Sequence, residues 1–272
     1  MCKNGKEISV LVLCYNSEKY IHQCLNSISE QSIAKKIQLV IMDDYSTDDS
    51  VYEIDRFLLK KSTLFHSITF QKQQYNKGAY LNLIDGIKHC QGQYIAYMEG
   101  DDYWVDKFKL ANQYHILESN KNISATTTGC QFVNENGELI PSKWYTETRS
   151  KNYSFKDLWA YPPFQTSTLF FKKSKLMNLP HSNKRFSCND KILFVLLANV
   201  DDIYYNKIKT TAYRFHKKNT TNQSSLLSRQ LTYQVQANYF LLKILGIMNL
   251  GLFTRSCLTF IKTYLLSLKN SN

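Results

Sequence analysis

Three carboxylates stand within four consecutive residues of this chain: Glu99, Asp101 and Asp102. Carboxylates at such short spacing repel one another unless protons or a cation intervene. Ligand sets made only of oxygen suit Mg²⁺ or Mn²⁺, which a protein commonly shares with the phosphates of a substrate. A solvated acidic turn is the alternative for this motif taken alone. The motif therefore predicts either a divalent-cation site or an exposed turn.

Polar clusters also follow each of the first four strand-like segments. The segments are Ile8–Cys14, Ile37–Met42, Ser67–Gln71 and Tyr94–Met98. The clusters are Tyr15-Asn16, Asp43-Asp44, Asn76-Lys77-Gly78 and the carboxylates from Glu99 to Asp102. Because ligands of open parallel sheets bind beyond the carboxyl ends of the strands, we expect these clusters to line one ligand-binding edge. For any single cluster, turn and capping chemistry is the alternative.

Helical patterns separate these strand-like segments, so the first hundred residues read as a βαβαβαβ series. This order predicts an α/β fold with a mostly parallel central sheet and helices on both faces. The later elements that we predict are a helix at Phe108–Leu117, a strand at Phe132-Val133, a strand-like segment at Thr166–Phe171, a helix at Asp190–Ala198 and a strand pair around Ile203 and Tyr213. From Leu226 onward the pattern is helical.

Several classes of protein are disfavoured by what the sequence does not contain. The first strand is not followed by GxGxxG, and GxxxxGK[ST] is absent, which disfavours dinucleotide dehydrogenases and P-loop enzymes. The seven cysteines are scattered without CxxC spacing, which indicates a reducing compartment rather than a disulfide framework or a zinc site. No signal-like segment opens the chain, and no apolar run reaches the ~20 residues of a membrane span. We therefore expect a cytoplasmic protein.

The positive charge of the chain is concentrated toward its C-terminal end. The net charge is +12, and the residues after Asp202 include ten basic and no acidic side chains. Within residues 226–272, apolar residues recur at helical spacing between lysines, which predicts a basic amphipathic helical tail. Such a tail favours an anionic membrane surface, with packing on the domain or on a second subunit of a homo-oligomer as the alternative. Nucleic acid is disfavoured, since no reading motif accompanies the charge.

The strand-end motifs together resemble a known family. Ile8–Asn16, Val40–Asp48, Asn76–Gly78 and Gly92–Trp104 are similar to the N-terminal half of family 2 glycosyltransferases with a GT-A fold. Thr166–Thr168, Asn189-Asp190 and Tyr213–His216 resemble later landmarks of that family in the same order. The resemblance covers about residues 7–224. It implies a Rossmann-like domain at 1–225, with a nucleotide-sugar half at about 1–105 and an acceptor half at about 106–225.

The resemblance also implies an activity and a set of nucleoside contacts. The activity is that of an inverting transferase that uses a nucleotide-diphosphate sugar, most often UDP-linked, together with Mn²⁺ or Mg²⁺. Tyr15 would pack against the nucleobase beside Asn16, and Asp44 would accept a hydrogen bond from uracil. Asp43 would support the loop, and the turn formed by Asn76, Lys77 and Gly78 would lie near the nucleoside. Alternatively, Tyr15 is a core aromatic and Asp44 a helix-capping residue.

Other roles implied by the resemblance concern the metal and the donor sugar. Glu99-Gly100-Asp101 occupies the position of the family's Asp-x-Asp motif, with glutamate in place of the first aspartate. Asp101 would bind the metal, and Glu99 would reach the ribose or a metal-bound water. Asp102 would contact the donor sugar. The segment Thr166–Thr168 would line the acceptor site, unless it is only a strand edge.

Two further positions complete the set implied by the resemblance. Asp190 would be the base that takes the proton of the acceptor hydroxyl, although a carboxylate at a helix N-terminus has a plain structural explanation as well. The motif reads Cys-Asn-Asp here instead of the family's Glu-Asp. His216 would touch the metal or the diphosphate, or else be a structural histidine. Its neighbours Arg214, Lys217 and Lys218 would neutralise phosphate, or form a solvated basic turn.

These residues lead to a functional hypothesis: transfer of a sugar from a UDP-sugar to a hydroxyl of a glycan, such as a lipid-linked glycan at the inner face of the cell membrane. One alternative is a non-catalytic subunit that binds nucleotide-sugar in an assembly. Another is a nucleotidyltransferase, which would normally require a glycine-rich, basic phosphate-binding loop near the first strand. Tyr15-Asn16-Ser17-Glu18 is not such a loop.

Overall fold

The computed structural model describes residues 8–141, 147–160, 162–176, 179 and 189–216, together with positions 235, 237–239, 241, 242, 245, 251, 254 and 258. The strands are β1 Ile8–Cys14, β2 Ile37–Asp43, β3 Ser67–Lys72, β4 Tyr94–Glu99, β5 Tyr103–Trp104, β6 Ile123–Val133, β7 Lys151–Tyr153, β8 Phe170–Lys172 and β9 Asp202–Arg214. The helices are α1 Ile21–Ser29, α2 Ser50–Lys61, α3 Ala79–His89, α4 Lys109–Ser119, α5 Phe155–Ala160 and α6 Asn189–Ala198.

Within these residues, all the strands join one sheet. Its order is β3-β2-β1-β4-β8-β6-β9-β5, and β7 pairs with β9 outside this path. β1, β2, β3 and β4 are parallel to their neighbours in this set, whereas β8 runs antiparallel to both β4 and β6. The α/β fold with a mostly parallel sheet is therefore confirmed.

The first half of the sheet follows from apolar strands that are covered on both faces. Every residue of β1 and β2 is buried. Val10 and Val12 pack on one side with α1, α2 and α4, while Leu11 and Leu13 pack on the other with α3, α5 and α6. The contact with α3 is close: a Cβ added at Gly86 would lie 2.5 Å from Leu11 Cδ1. A side chain at this position would therefore require Leu11 or the helix to shift.

The second half of the sheet differs from the prediction. β6 has 11 residues, whereas the predicted strand covers only Phe132-Val133. The prediction missed the first part of β6 because that part is rich in serine and threonine, although it is buried. The β-branched threonines suit a strand, but a search for apolar runs does not find them. The predicted strand pair around Ile203 and Tyr213 is also wrong. It is one 13-residue strand, β9, that runs parallel to β6 through register shifts near Gly129.

The segment Thr166–Phe171 is likewise not one strand. It begins with a 3₁₀ turn at Thr166–Thr168 and continues into the short strand β8. The backbone N–H of Tyr97 in β4 donates to the carbonyl of Leu169. The turn therefore lies against β4, close to the end of that strand.

The predicted helical tail lies largely outside the described residues. The tail positions that are described are helical. Ala237 and Leu241 are fully buried and belong to the same core cluster as α6. This part of the tail therefore packs on the domain. No helix among the described residues is both long and apolar enough to span a bilayer.

Candidate active site

The loops that follow β1, β2 and β4 meet at one edge of the sheet. The backbone N–H of Asp44 donates to Cys14 O at 2.9 Å, and that of Gly100 donates to Leu13 O at 2.8 Å. These bonds extend the parallel ladders past the strand ends, so the polar clusters that the sequence places there become neighbours. The candidate site is built on this edge.

The adjacent aspartates Asp43 and Asp44 organise the loops at this edge. The carboxylate of Asp43 accepts hydrogen bonds from the N–H of Ser46 at 3.0 Å and from its hydroxyl at 2.5 Å. Asp44 accepts from the N–H groups of Lys77 at 2.7 Å and Gly78 at 2.8 Å. Gly78 has a φ of 85°, which favours glycine. Asp43 thus supports its loop as expected, and Asp44 holds the turn that follows β3.

Asp44 has only limited contact with solvent, since the residue is 4% exposed. Each of its oxygens already serves one backbone N–H group, although a carboxylate oxygen has lone pairs for a second donor. Its hydrogen bond to uracil stays a prediction. Asn76 is half-buried beside this turn, and the ammonium of Lys77 pairs with Asp85 at 2.8 Å.

Tyr15 and Asn16 form the loop after β1. Tyr15 is 50% exposed, so it is not a core aromatic. Asn16 has a φ of 50°, and its side-chain oxygen accepts from the N–H of Thr47 at 2.8 Å. Asn16 therefore fastens the first loop to the second and leaves the ring of Tyr15 at the surface of the edge.

Glu99 is half-buried at the end of β4. Its carboxylate accepts a hydrogen bond from Tyr97 Oη at 2.5 Å. Burial raises the pKa of Glu99 to about 8, with a further contribution from the negative charges of Asp101 and Asp190. Two more carboxylates therefore lie close enough to influence Glu99, and a bound cation would relieve this repulsion.

Asp102 has a supporting position in the structure. It is 1% exposed, accepts from Ser167 Oγ at 2.5 Å and accepts from the backbone N–H of Arg214 at 3.0 Å. Burial, and then the charge of Asp101, raises its pKa well above the usual range. The geometry does not favour the expected contact between Asp102 and a donor sugar. The carboxylate of Asp102 instead connects β9 to the 3₁₀ turn.

Asp101 and His216 lie together although they are far apart in sequence. Asp101 Oδ2 and His216 Nε2 are 2.9 Å apart, and the imidazole packs against the ring of Tyr20 with centroids 5.0 Å apart. The described residues contain no cluster of three or more His, Cys, Asp or Glu side chains that could hold a metal. A carboxylate and an imidazole nevertheless fit a cation that takes its other ligands from a diphosphate and water. The donor set is therefore compatible with Mn²⁺ or Mg²⁺.

Arg214 does not have the phosphate-neutralising position that we expected. The residue is 2% exposed, and its guanidinium carbon lies 4.6 Å from the ring centroid of Tyr20 and 5.2 Å from that of Tyr103. It donates to Gln23 Oε1 at 2.5 Å and to the backbone carbonyl of Asp101 at 3.1 Å. Arg214 is thus a positioning residue for the Asp101 loop. Lys217 and Lys218 lie outside the described residues.

Replacement of Arg214 should show this positioning role. We expect Arg214→Lys to lower the free energy of unfolding by about 2 kcal/mol, because an ammonium cannot reproduce the forked hydrogen bonds and ring stacking of a buried guanidinium. Chemical denaturation measures this change. Arg56→Lys is the matched control, since Arg56 forms an exposed i,i+3 pair with Glu53, and it should change stability by less than about 0.5 kcal/mol. Equal effects in the two variants would contradict the assignment.

Asp190 lies in the first turn of α6. Burial raises its pKa, and its negative charge in turn contributes to the raised pKa of Glu99 and of Tyr97 near the end of β4. Its Oδ1 accepts from the N–H of Lys191 at 2.8 Å. A carboxylate with a raised pKa near a cation site has the properties of a general base.

Ser167 and Lys109 contribute contacts that sequence reasoning did not assign. Besides its bond to Asp102, Ser167 Oγ accepts from the backbone N–H of Glu99 at 3.1 Å. Lys109 is fully buried, and its ammonium donates to the carbonyl of Thr168 at 3.3 Å. The expected acceptor-lining segment therefore buttresses the acidic cluster. No local pattern marks these roles, since the partners are far apart in sequence.

The raised pKa of Glu99 predicts a pH dependence of the cation-free protein. A carboxyl whose pKa is higher in the folded state than in the unfolded state contributes to the free energy of unfolding. This contribution is complete below the unfolded pKa and is lost as the pH rises through the folded pKa of about 8. We expect the melting temperature in EDTA to fall between about pH 5 and about pH 8, and Glu99→Gln to flatten this decline. Calorimetry measures both curves. The exposed Glu30→Gln should retain the wild-type slope, and an equally steep decline in Glu99→Gln would contradict the prediction.

Comparison with known proteins adds independent evidence. A UDP-Glc:alpha-D-GlcNAc-diphosphoundecaprenol beta-1,3-glucosyltransferase of Escherichia coli is 35% identical over 114 residues, which cover 42% of each chain. The chain spans about half the length of several curated relatives that it matches. For a protein of Mycobacterium tuberculosis, the match covers 47% of that protein.

Solved structures show the same fold. A mannosyltransferase from Pyrobaculum calidifontis, in complex with GDP-Man and Mn²⁺, superposes with a TM-score of 0.68 at 16% identity and covers 97% of this chain and 74% of its own. TarS 1–349 of S. aureus with UDP-GlcNAc has a TM-score of 0.62 at 17% identity, with 94% and 81% covered. The GT-A type fold is therefore confirmed.

The family assignment depends on the sequence profile of the whole domain. The profile described as Glycosyl transferase family 2 matches residues 9–187, which is more than half of the chain. This range includes β1 to β4 with their polar loops, and it ends just before α6. The resemblance inferred from the motifs is confirmed: the chain belongs to glycosyl transferase family 2.

Proposed function

We propose that this protein is an inverting glycosyltransferase that moves a sugar from a UDP-sugar to a hydroxyl of a glycan acceptor. The observation that carries the proposal is the 2.9 Å pair of Asp101 and His216 at the edge of the sheet, with Asp190 near enough for its negative charge to raise the pKa of Glu99. A cation-and-diphosphate site beside a carboxylate base is what displacement at an anomeric carbon requires.

The roles of the residues follow from this geometry. Asp190 takes the proton of the acceptor hydroxyl as that oxygen attacks the anomeric carbon from the face opposite the diphosphate, so the configuration inverts. Asp101 and His216 would hold Mn²⁺ or Mg²⁺, which would supply Lewis-acid stabilisation to the leaving diphosphate. Arg214, Asp102 and Ser167 keep the loop that carries Asp101 in position.

The nucleoside would bind at the loops after β1, β2 and β3. Tyr15 offers an exposed ring, Asp44 a carboxylate, and the turn at Asn76–Gly78 offers backbone next to Asp44. UDP is favoured over other nucleotides because the E. coli relative is named for UDP-Glc and the S. aureus structure contains UDP-GlcNAc. The name of the E. coli relative also supports a lipid-linked glycan as acceptor.

Product analysis tests the proposal. The protein is first screened with Mn²⁺ and a panel of UDP- and GDP-sugars for a thermal shift, and the stabilising donor is then incubated with glycan acceptors. Release of UDP together with an inverted linkage in the NMR spectrum is the expected result. Pyrophosphate release would indicate a nucleotidyltransferase, and donor binding without transfer would indicate a non-catalytic subunit. Either outcome would overturn the proposal.

We also propose that the C-terminal tail holds the protein at the anionic inner face of the cell membrane. The tail, residues 226–272, carries five basic and no acidic residues, which supports this partner. Deletion of the tail is a poor test, since Ala237 and Leu241 are part of the core. In the full chain, Lys262→Gln with Lys269→Gln should weaken binding to phosphatidylglycerol vesicles, whereas Lys60→Gln with Lys88→Gln should not. Unchanged binding together with tail-dependent dimerisation in sedimentation would favour a homo-oligomer instead.

A further inference from the structure

Tyr45 has an unusual backbone conformation for its residue type. Its φ is 64°, in the left-handed region that bulky side chains rarely adopt. Its ring is 51% exposed, so burial of the side chain does not compensate for this conformation. Strained positions of this kind persist when their surroundings impose them, and they occur often at ligand-binding sites.

The surroundings of Tyr45 impose the strain from both sides. Before it, Asp44 is tied through its carboxylate to the N–H groups of Lys77 and Gly78. After it, Ser46 is held by the carboxylate of Asp43. The residue between these anchors has little conformational freedom, so the loop presents the ring of Tyr45 to solvent at a definite place.

That place is next to Tyr15. Asp44 N–H bonds to Cys14 O at 2.9 Å, and Asn16 N–H bonds to Ser46 Oγ at 2.9 Å, so the two tyrosines lie on adjacent, hydrogen-bonded loops, Tyr15 one residue beyond β1 and Tyr45 two residues beyond β2. Neighbouring parallel strands lie about 4.8 Å apart. Within the described part of the chain, the ring of neither tyrosine contacts another aromatic ring, and both residues are about half exposed. Two exposed rings on adjacent loops suit a flat aromatic ligand.

We infer that Tyr45 is a binding residue for the donor nucleobase and contacts the base together with Tyr15. The inference rests on the proposed use of a nucleoside-diphosphate sugar and adds a side chain to that same site. It explains why a bulky residue stands where the backbone favours glycine or asparagine. The left-handed conformation of Tyr45 lowers the stability of the fold, and contact of its ring with the base stabilises the bound state.

The test compares ligands with and without a base. In calorimetric titrations with Mn²⁺, Tyr45→Asn should weaken UDP binding about fivefold or more, because an aromatic stacking partner is lost. Its affinity for inorganic pyrophosphate should stay at the wild-type value. Tyr45→Phe should keep the affinity for UDP. Tyr52→Asn is the control, since Tyr52 is an exposed tyrosine on α2, and it should bind both ligands like the wild type.

Stability separates a binding role from a structural one. Asparagine tolerates the left-handed region, so Tyr45→Asn should melt at or above the wild-type temperature. A variant that binds UDP as tightly as the wild type would overturn the inference, and so would one that loses stability along with UDP binding. If the wild type binds neither UDP nor GDP, the proposed function fails. If it binds nucleotide and Tyr45→Asn does so equally well, only the role of Tyr45 fails.

Discussion

Asp190→Asn should reduce turnover by about 10²- to 10⁴-fold and leave the affinity for UDP and Mn²⁺ close to the wild-type value. The amide has nearly the same shape as the carboxylate, but it cannot accept the proton of the acceptor hydroxyl. Burial raises the pKa of Asp190, so the wild-type carboxylate is a better proton acceptor than an exposed aspartate would be. Measurement of kcat and of UDP affinity on the same protein preparation separates these effects.

Asp157→Asn is the matched control for this prediction. Asp157 also lies in the first turn of a helix, α5, where a carboxylate interacts favourably with the helix dipole. It is exposed and accepts from Ser154. If both variants lose activity to the same degree, or if Asp190→Asn remains active, Asp190 is a helix-capping residue and not the base.

Asp101→Asn is expected to weaken Mn²⁺-dependent UDP binding by about 100-fold or more, since the loss of a charged ligand exceeds the 10- to 100-fold effect of changes around a metal site. Turnover should fall with it, because the leaving diphosphate would lack its Lewis acid. Titration with UDP in the presence of Mn²⁺ and in EDTA measures the difference. Asp55→Asn, which changes a surface carboxylate paired with Lys72, should bind like the wild type.

His216→Asn provides a second measurement of the same site. Because His216 Nε2 lies 2.9 Å from Asp101 Oδ2, we expect it to weaken UDP binding with Mn²⁺ and to have little effect in EDTA. A uniform loss under both conditions would indicate that the pair is structural. Together with Asp190→Asn, these variants distinguish binding of the donor from the chemical step.

The first half of the fold, and the sheet edge at which its polar clusters meet, could be predicted from the sequence. β1 and β2 are continuous apolar runs, so their burial on both faces is visible in the residue types. The polar clusters begin where these runs end, and parallel strands bring their ends to one edge. Asp43, Asp44 and Glu99 could thus be placed at one edge of the sheet from the residue types alone.

The second half of the fold could not be read in the same way. β6 buries serine and threonine instead of valine and isoleucine, and β9 contains an exposed polar stretch that resembles a turn. In both strands the tertiary environment overrides the local pattern. For the tail, the sequence leaves a membrane surface and packing on the domain as alternatives, and the described Ala237 and Leu241 pack into the core of the domain.

The roles of individual polar residues depend on contacts that the sequence does not show. By itself, the sequence determined which strands are buried, where their polar ends fall and which family the motifs resemble, because those properties are carried by neighbouring residues. Only the tertiary structure decided that Arg214 stacks between Tyr20 and Tyr103, that Asp102 supports a turn, and that Asp101 meets His216. These partners are separated by 65 to 194 residues, and only folding brings their charges and donors within hydrogen-bond distance.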